Sequence, residues 1–369
     1  MPSATKGDRV SDSSGRAPLP EPRGPVSATV RDALRQAPHD LPPGLPAALA
    51  GTDPLTDEDL QLTLFLCYEL HYRGWYGVDD GWEWQPSLLA VRAEAERRFE
   101  AALRELAGPP SPVPPEQLPA ALRQLTAPAG GPSLGGFLKR HGTPAQFREF
   151  VVHRSIYHLR EADPHSWGLP RLGGPPKAAL VEIQMDEYGN GQLHRMHAEL
   201  FRSTMRSLGL DTRYGAHLDA APAVTLATNN AMSLFGLHRR LRGALLGHLA
   251  AFEMTSSLPN RRYGDALRRL GGDETATRFF DEHVEADAVH EQIAVHDLCG
   301  GLARQEPALT ADVLLGAATA IALDALFARH VLDAWTAGRS SLRTPQPEPV
   351  PAPAVLPGRP LAAVVAGSV

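Results

Sequence analysis

The segment from Phe279 to His290 constrains the fold of this chain more than any other. His283, Asp287 and His290 stand at positions i, i+4 and i+7, so on an α-helix they fall within about one 60° sector. One helix would then direct two imidazoles and a carboxylate at a single point, which is the donor chemistry of non-haem iron sites. The alternative is a solvated acidic face, because further carboxylates surround these residues, at Glu282, Glu285, Glu291 and Asp297.

Apolar residues on the same segment, including Phe280, Val284 and Ile293, indicate that part of this helix is packed inside the protein. Carboxylates and imidazoles beside such a surface are costly unless they are paired or bound to a metal. The choice between a metal site and a polar surface therefore depends on whether the chain supplies partner residues.

Three upstream segments supply such partners. Residues 180–208 predict a long, interrupted helix that carries acids and histidines among apolar residues, at Asp186, Glu187, His194, His197 and Glu199. Residues 223–258 are largely apolar and contain the acid Glu253. A third helix, over residues 145–163, carries Glu161 at its C-terminal end, where the helix dipole disfavours a carboxylate. The alternative interpretation of Glu161 is an ordinary surface glutamate.

Taken in order, these motifs resemble those of the haem-oxygenase-like di-iron oxidases, a family of iron-containing redox enzymes. The motifs are Asp186-Glu187-Tyr188-Gly189, Met196-His197-Ala198-Glu199-Leu200-Phe201, Phe252-Glu253-Met254-Thr255 and residues 282–290. The resemblance covers about residues 144–337. It implies an all-α, haem-oxygenase-like helical bundle and a two-iron site with ligands at Glu187, His197, Glu253, His283, Asp287 and His290. The subgroup that oxygenates nitrogen has an extra glutamate on the first core helix, and the resemblance implies Glu161 in this role.

The spacing of Glu187 and His197 conflicts with a regular helix. On an uninterrupted helix Glu187 shares a face with His194, seven residues on, and not with His197, ten residues on. An extra residue or a π-bulge near Gly189-Asn190-Gly191 would rotate His197 into place, and such bulges are frequent at functional sites. We therefore keep His197 as the ligand and expect His194 to be a surface or supporting histidine.

Composition and charge exclude several classes of protein. The 369 residues are 43% hydrophobic, which is enough to bury the core of one catalytic domain with accessory helices. A net charge of −6 without a basic cluster argues against nucleic acid as a partner. The two cysteines, Cys67 and Cys299, predict no disulfide framework. No signal peptide or membrane span is visible, so we expect a cytoplasmic protein that does not bind a membrane.

Segments rich in Pro, Gly and Ser predict how the chain is divided into parts. Residues 1–28 and 343–369, which are rich in Gly, Pro and Ser or in Pro, predict disordered termini. Residues 29–136 predict an accessory helical region with Pro- and Gly-rich linkers, and residues 137–342 predict the catalytic domain. Absence of β-alternation makes the fold class all-α. We interpret the aromatic residues of the accessory region as anchors of a helical hairpin on the core rather than as a substrate or partner surface. These residues are Trp75, Trp82, Trp84, Tyr68, Tyr72 and Tyr76.

Residues outside the ligand set receive simpler interpretations. Arg261 or Arg262 could pair with a substrate carboxylate through the guanidinium fork, although the start of a surface helix explains them equally well. We interpret five other histidines as core, rim or off-site residues: His153, His158, His238, His248 and His296. No catalytic residue is predicted beyond the metal ligands.

The resemblance implies two iron ions that cycle between Fe²⁺ and Fe³⁺, with O₂ as co-substrate. An external electron donor is implied as well, because no flavin or nicotinamide motif is evident. We expect N-oxygenation of an amine, guanidine or heterocyclic nitrogen of a small specialised metabolite. Two alternatives stay open: oxidative C–C cleavage or desaturation of an amino or fatty acid at the same iron core, and a non-catalytic helical partner-binding protein. Haem degradation fits less well, because a cluster of acids suits iron ions better than a porphyrin. The sequence also leaves open whether the protein forms a homodimer.

Overall fold

A computed structural model of the protein describes residues 15–49, 53–128, 130 and 133–344, with the backbone alone at residues 285–288. In these ranges the regular secondary structure is helical, and a single isolated bridge pairs Ala17 with Trp75. The predicted all-α fold class is confirmed.

The N-terminal part of the described chain contains helices α1 to α5: Pro25–Leu34, Glu58–Glu69, Pro86–Ala107, Leu118–Thr126 and Leu134–His141. Helix α1 is fixed by α2, because the Asp59 carboxylate accepts hydrogen bonds from the backbone N–H groups of Val26 and Ser27, at 2.9 and 2.7 Å. These bonds satisfy donors that the first turn of a helix leaves unpaired.

The second part contains helices α6 to α15: Pro144–His158, Asp163–Ser166, Gly174–Glu187, His197–Ser207, Ala223–Leu237, Arg242–Thr255, Ser257–Arg269, Glu274–Gln292, Gly300–Gln305 and Thr310–Thr336. Two 3₁₀ turns, Gly189–Gly191 and Leu193–Arg195, connect α8 to α9. A π-helical segment, Ile293–Cys299, connects α13 to α14.

Two boundaries predicted from composition are corrected. Ala17 is buried and its carbonyl accepts from the Tyr76 N–H at 2.8 Å, and helix α1 begins at Pro25, so the prediction of disorder through residue 28 is wrong for residues 15–28. At the other end, the Arg343 backbone N–H donates to the Ala220 carbonyl at 2.9 Å, so the chain is still held where the tail was predicted to begin. The remaining parts of both predicted termini, residues 1–14 and 345–369, lie outside the described residues.

The predicted accessory region shares its core with the predicted catalytic domain. One continuous apolar cluster contains residues of α1, α2 and α3 together with residues of α10 and the start of α11. A buried ion pair joins the two parts, with Arg160 Nη1 3.2 Å from Glu69 Oε2, and the Tyr214 hydroxyl donates to the same Glu69 oxygen at 2.7 Å. The described part of region 29–136 is therefore packed as an integral portion of the fold.

Two of the tryptophans predicted to be anchors are buried. The Trp75 indole N–H donates to the Leu66 carbonyl at 3.0 Å, and the Trp82 indole N–H donates to the Gln36 carbonyl at 2.9 Å. Trp84 differs, with 68% of its surface exposed. Burial with a satisfied indole N–H is the arrangement that an anchoring tryptophan requires.

Helices α11 and α15 cross in close backbone contact. A Cβ atom on Gly247 would collide with the Val313 carbonyl, and a Cβ atom on Gly316 would collide with the Ala244 carbonyl. Only glycine permits such an approach. The crossing fixes the path of α11, which carries Glu253 near its C-terminal end.

Among the described residues, one helical stretch, Pro307–Thr336, is long and apolar enough to cross a membrane. However, 56% of its most apolar window is buried inside the protein, and core helices of globular proteins meet the same criteria. The expectation of no membrane partner stays a prediction.

Candidate metal centre

Two overlapping groups of side chains meet in the interior of the bundle. We call the first group position A; its possible ligand atoms lie within 4.8 Å of one another and belong to Glu161, Glu187, His197 and His283. We call the second group position B; it meets the same distance limit and consists of Glu187, Glu253 and His290. Because Glu187 belongs to both groups, the arrangement can hold two metal ions that share one carboxylate.

Glu161 lies in a turn three residues beyond the end of α6, not on the helix as predicted. The next residue, Ala162, has φ +71°, which is uncommon for a residue other than glycine and is a form of strain found at functional sites. His158, the last residue of α6, holds the turn from behind, because its Nδ1 donates to Glu161 Oε1 at 2.7 Å. The His158 ring packs against Phe201 and Phe279, so the imidazole is itself fixed.

Glu187 and His197 come together because the helix between them ends and restarts. Helix α8 ends at Glu187, and α9 begins at His197. Between them the chain turns through left-handed conformations at Gly189, with φ +62°, and Asn190, with φ +53°. A Cβ on Gly189 would lie 2.5 Å from the backbone of Arg195, so glycine is required at this close approach.

This break corrects one sequence prediction. An extra residue or a π-bulge was expected near residues 189–191, whereas the chain leaves the helix there; the π-helical segment of the described chain lies at Ile293–Cys299. The break between the two helices nevertheless brings the two residues together, because His197 Nδ1 lies 2.9 Å from Glu187 Oε2. His194 is exposed, as expected for a surface histidine.

Helix α13 brings its two histidines to different positions of the centre. At position A, His283 Nδ1 donates to the Phe279 carbonyl at 2.8 Å, and Nε2 lies 3.5 Å from Glu161 Oε1. A backbone bond of this kind fixes the tautomer and leaves the other nitrogen available for a metal. Asp287 also lies on α13, but its side chain falls outside the described residues, so its role as a ligand stays a prediction.

His290 lies between two carboxylates at position B. Its Nδ1 is 3.4 Å from Glu253 Oε2, and its Nε2 is 3.2 Å from Asp186 Oδ2. Glu253 is buried, whereas the Asp186 side chain is 37% exposed. Asp186 thus contacts this imidazole from the outer side of the centre.

The electrostatics of the centre favour a cation. Burial opposes charge on Glu187, but the neighbouring His197 outweighs it and lowers the pKa of that carboxyl. Burial likewise opposes charge on the imidazoles, yet Glu187 raises the pKa of His197, and Glu253 with its neighbours raises the pKa of His290 to about 9. Burial dominates at Glu253 and raises its pKa. Carboxylates that hold positive charge on these rings also favour a divalent metal ion among them.

The donor atoms of the centre fit such ions. One buried ligand atom, Glu161 Oε2, has no hydrogen-bond partner among the described residues. An unsatisfied buried polar atom costs about 1–3 kcal/mol, so it is expected where another species completes its bonding. Imidazole nitrogens combined with carboxylate oxygens suit iron. The residues present therefore fit two iron ions.

A pocket of about 460 Å³, including the part open to solvent, borders the centre. Its other walls combine aromatic, apolar and polar residues, namely Tyr157, His158, Ala162, His165, Gln184, Leu249, Phe252, Ser256 and Asn260. Neither arginine predicted to bind substrate lines it: Arg261 is exposed, and Arg262 Nη1 donates to Ser133 Oγ at 3.0 Å. Their role stays a prediction, while the adjacent Asn260 does line the pocket.

Sequence reasoning missed several residues beside the ligands. His158, interpreted as a core or rim histidine, bonds a predicted ligand, and Gln184 and His165 line the pocket. A signal existed for two of them, because His158 precedes Glu161 by three residues and Gln184 precedes Glu187 by three residues. His165 has no comparable signal, since its position depends on the turn after Glu161.

Two comparisons relate this chain to known proteins. Residues 148–325 match the family described as iron-containing redox enzymes. A nitrosourea synthase from Streptomyces achromogenes subsp. streptozoticus is 30% identical over 149 residues, which make up 40% of this chain and 31% of the synthase. The chain thus matches about a third of that relative's length. The matched range 148–325 contains all the candidate ligands, so the similarity to iron-containing redox enzymes lies in the part of this all-helical chain that holds the centre.

Proposed function

We propose that this oxidoreductase is an O₂-dependent di-iron oxygenase that N-oxygenates an amine, guanidine or heterocyclic nitrogen of a small specialised metabolite. The observation that carries the proposal is the position of Glu161. Its carboxylate lies in one group with Glu187, His197 and His283, where the resemblance to N-oxygenating enzymes implied an additional ligand.

The relative supports the choice of nitrogen as the reacting atom. Its name states that it makes a nitrosourea, a compound in which a urea nitrogen carries a nitroso group. Nitrogen oxidation is the kind of chemistry that such a product requires. Since the similarity covers 40% of this chain, the substrate is inferred from the site and not transferred from the synthase.

The residues of the centre would divide the metal binding between them. Glu161, His197 and His283 would hold one iron, Glu253 and His290 the other, and Glu187 would contact both. With two ferrous ions bound, the centre would have the electrons that the activation of O₂ requires. The His158 hydrogen bond would keep Glu161 directed at position A, and the Phe279 carbonyl would keep the protonated nitrogen of His283 turned away from it.

The pocket provides the second requirement, which is a sheltered place for the substrate beside position A. Tyr157, Phe252 and Leu249 give it apolar walls that limit the access of water, while Ser256 and Asn260 offer polar contacts at one side. Apolar walls with a few placed polar groups are typical of small-molecule sites. A separate reductant would return the iron to the ferrous state after each turnover.

The test compares Glu161→Ala with Glu199→Ala after anaerobic loading with Fe(II). Glu199 is a matched control because it pairs with Arg202 on α9 and belongs to neither metal position. Each protein is exposed to ¹⁸O₂ with a panel of amines, guanidines, nitrogen heterocycles, amino acids and fatty acids, and products are identified by mass spectrometry. We expect ¹⁸O on nitrogen with the parent and Glu199→Ala. We expect bound iron and O₂ consumption in Glu161→Ala with a product yield at least about tenfold lower.

Three results would contradict the proposal. Equal yields from Glu161→Ala and the parent would remove its main support. Products of C–C cleavage or desaturation, whether or not they carry the label, would favour the other iron chemistry. Failure of the parent to bind iron would favour a helical partner-binding protein.

A further inference from the structure

Gln184 is a buried pocket residue that the metal centre does not use. It lies three residues before Glu187 on α8, so the two side chains share a helix face, and only 3% of its surface is exposed. A buried amide normally has all its polar atoms paired. The hydrogen-bond partners of this amide therefore show which of its polar atoms is left for a ligand.

The orientation of the Gln184 amide is fixed by its donors. Nε2 donates to the Ala162 carbonyl at 2.8 Å and to Ser166 Oγ at 2.7 Å. A carbonyl oxygen can only accept, so the nitrogen must face Ala162. The oxygen, Oε1, is then left without a hydrogen-bond partner among the described residues.

Further hydrogen bonds hold this arrangement in place. Ser166 Oγ lies 2.9 Å from the Tyr188 hydroxyl, which donates to Asp163 Oδ1 at 2.9 Å. The same segment contains Ala162 in its left-handed conformation and begins at Glu161. The free acceptor of Gln184 is thus fixed by the turn that also positions a predicted iron ligand.

His165 offers a second unpartnered atom in the same wall. It is 0% exposed, and its Nε2 lies 3.2 Å from Nδ1 of the buried His248, so the two rings share one hydrogen. Burial lowers the pKa of His165 to about 4, which leaves the ring neutral at ordinary pH. Its Nδ1 has no partner among the described residues, and it can donate or accept depending on the tautomer.

We propose that Gln184 Oε1 and His165 Nδ1 recognise a small planar N–H-bearing group, such as a guanidine or urea, and hold it beside Glu161. The acceptor of Gln184 matches an N–H donor, and the imidazole nitrogen adapts to a second polar atom of the same group. Phe252 and Tyr157 provide aromatic surface for a planar ligand, and the described residues that line the pocket include no lysine or arginine for a carboxylate. The identification of this group as the one that is oxygenated rests on the proposed function.

The test uses two substitutions of His165 that separate its nitrogens. The amide of His165→Asn lies near the place of Nδ1, whereas the amide of His165→Gln lies near the place of Nε2 and can still reach His248. Neither substitution alters the donors of Gln184. Binding of methylguanidinium and methylurea to the Fe(II)-loaded, anaerobic proteins is measured by calorimetry, with tetramethylurea, which has no N–H group, as the control ligand. Iron content and thermal melts establish that each variant is loaded and folded.

We expect both N–H-bearing probes to bind the parent and His165→Asn with dissociation constants within about threefold of each other, and His165→Gln about tenfold more weakly. We expect tetramethylurea to bind none of the proteins measurably. Equal affinities in the parent and His165→Gln, or binding of tetramethylurea as tight as that of methylurea, would overturn the inference. Because binding is measured without O₂, these results are independent of the product analysis that decides the proposed function.

Discussion

Positions A and B of the metal centre differ in what supports their ligands from behind. At position A, Glu161 and His283 are each held by a short hydrogen bond inside the protein, from His158 at 2.7 Å and to the Phe279 carbonyl at 2.8 Å. At position B, the outer contact of His290 is Asp186, at 3.2 Å and with a side chain that is 37% exposed. Internal contacts fix ligand geometry better than exposed ion pairs, which water and salt screen. The two positions of this centre therefore differ in rigidity, and we expect position A to bind iron more tightly.

The largest expected effect comes from the residue that the two positions share. Glu187→Ala should lose both irons, because it removes a carboxylate from each group, whereas Glu253→Ala should retain the iron at position A. Anaerobic loading followed by colorimetric iron analysis would give close to zero and one iron per chain, respectively. Far-UV circular dichroism checks that both variants stay helical. If Glu253→Ala also binds no iron, the two positions do not bind iron independently, and position A is not the tighter one.

An intermediate effect is expected at the turn that places His197 in position A. Gly189→Ala and Gly191→Ala both put alanine at positive φ, +62° and +75°, but only the first meets backbone atoms, since a Cβ on Gly191 has nothing within 4 Å. Both variants should lose about 1 kcal/mol for the backbone conformation. Gly189→Ala should lose roughly a further 1–3 kcal/mol from the collision and should load position A less completely. Urea unfolding and iron titration measure the two effects, and equal values for the variants would show that the close approach does not position His197.

The smallest effect tests the supporting contacts themselves. His158→Phe keeps an aromatic ring between Phe201 and Phe279 but removes the hydrogen bond to Glu161, and should weaken iron binding at position A by about tenfold. Asp186→Asn should weaken position B by less than about threefold, because that contact is partly exposed. Competition with a calibrated chelator gives both affinities. A larger loss from Asp186→Asn than from His158→Phe would reverse the assigned order of rigidity.

Much of the centre could be predicted because its signals are local. The spacing of His283 and His290 follows from helix geometry alone, and the motifs around Glu187, His197 and Glu253 are short and ordered along the chain. All of these residues meet in one interior, as does Glu161. The all-α fold class followed from the absence of β-alternation along the chain.

The rest depended on contacts between distant parts of the chain. The break between Glu187 and His197 was visible as Gly189-Asn190-Gly191, but its form depends on how the turn packs against Arg195. The placement of His165 depends on the left-handed turn at Ala162, and an alanine in the sequence does not predict such a conformation. Likewise, composition separated residues 29–136 from the following domain, although their apolar faces pack against α10. Long-range packing of this kind overrides local pattern.

The buried pair of Glu69 and Arg160 has a consequence for protein engineering. Arg160 immediately precedes Glu161 and lies inside the segment that matches the family, whereas Glu69 lies on α2, far outside it. A chimera that transplants residues 148–325 alone would leave a guanidinium without its anion in a dry interior, at a typical cost of about 3–5 kcal/mol, next to a predicted iron ligand. The smallest portable unit that keeps this ion pair must therefore include α2, so an N-terminal helix outside the matched segment helps to fix the residue next to Glu161.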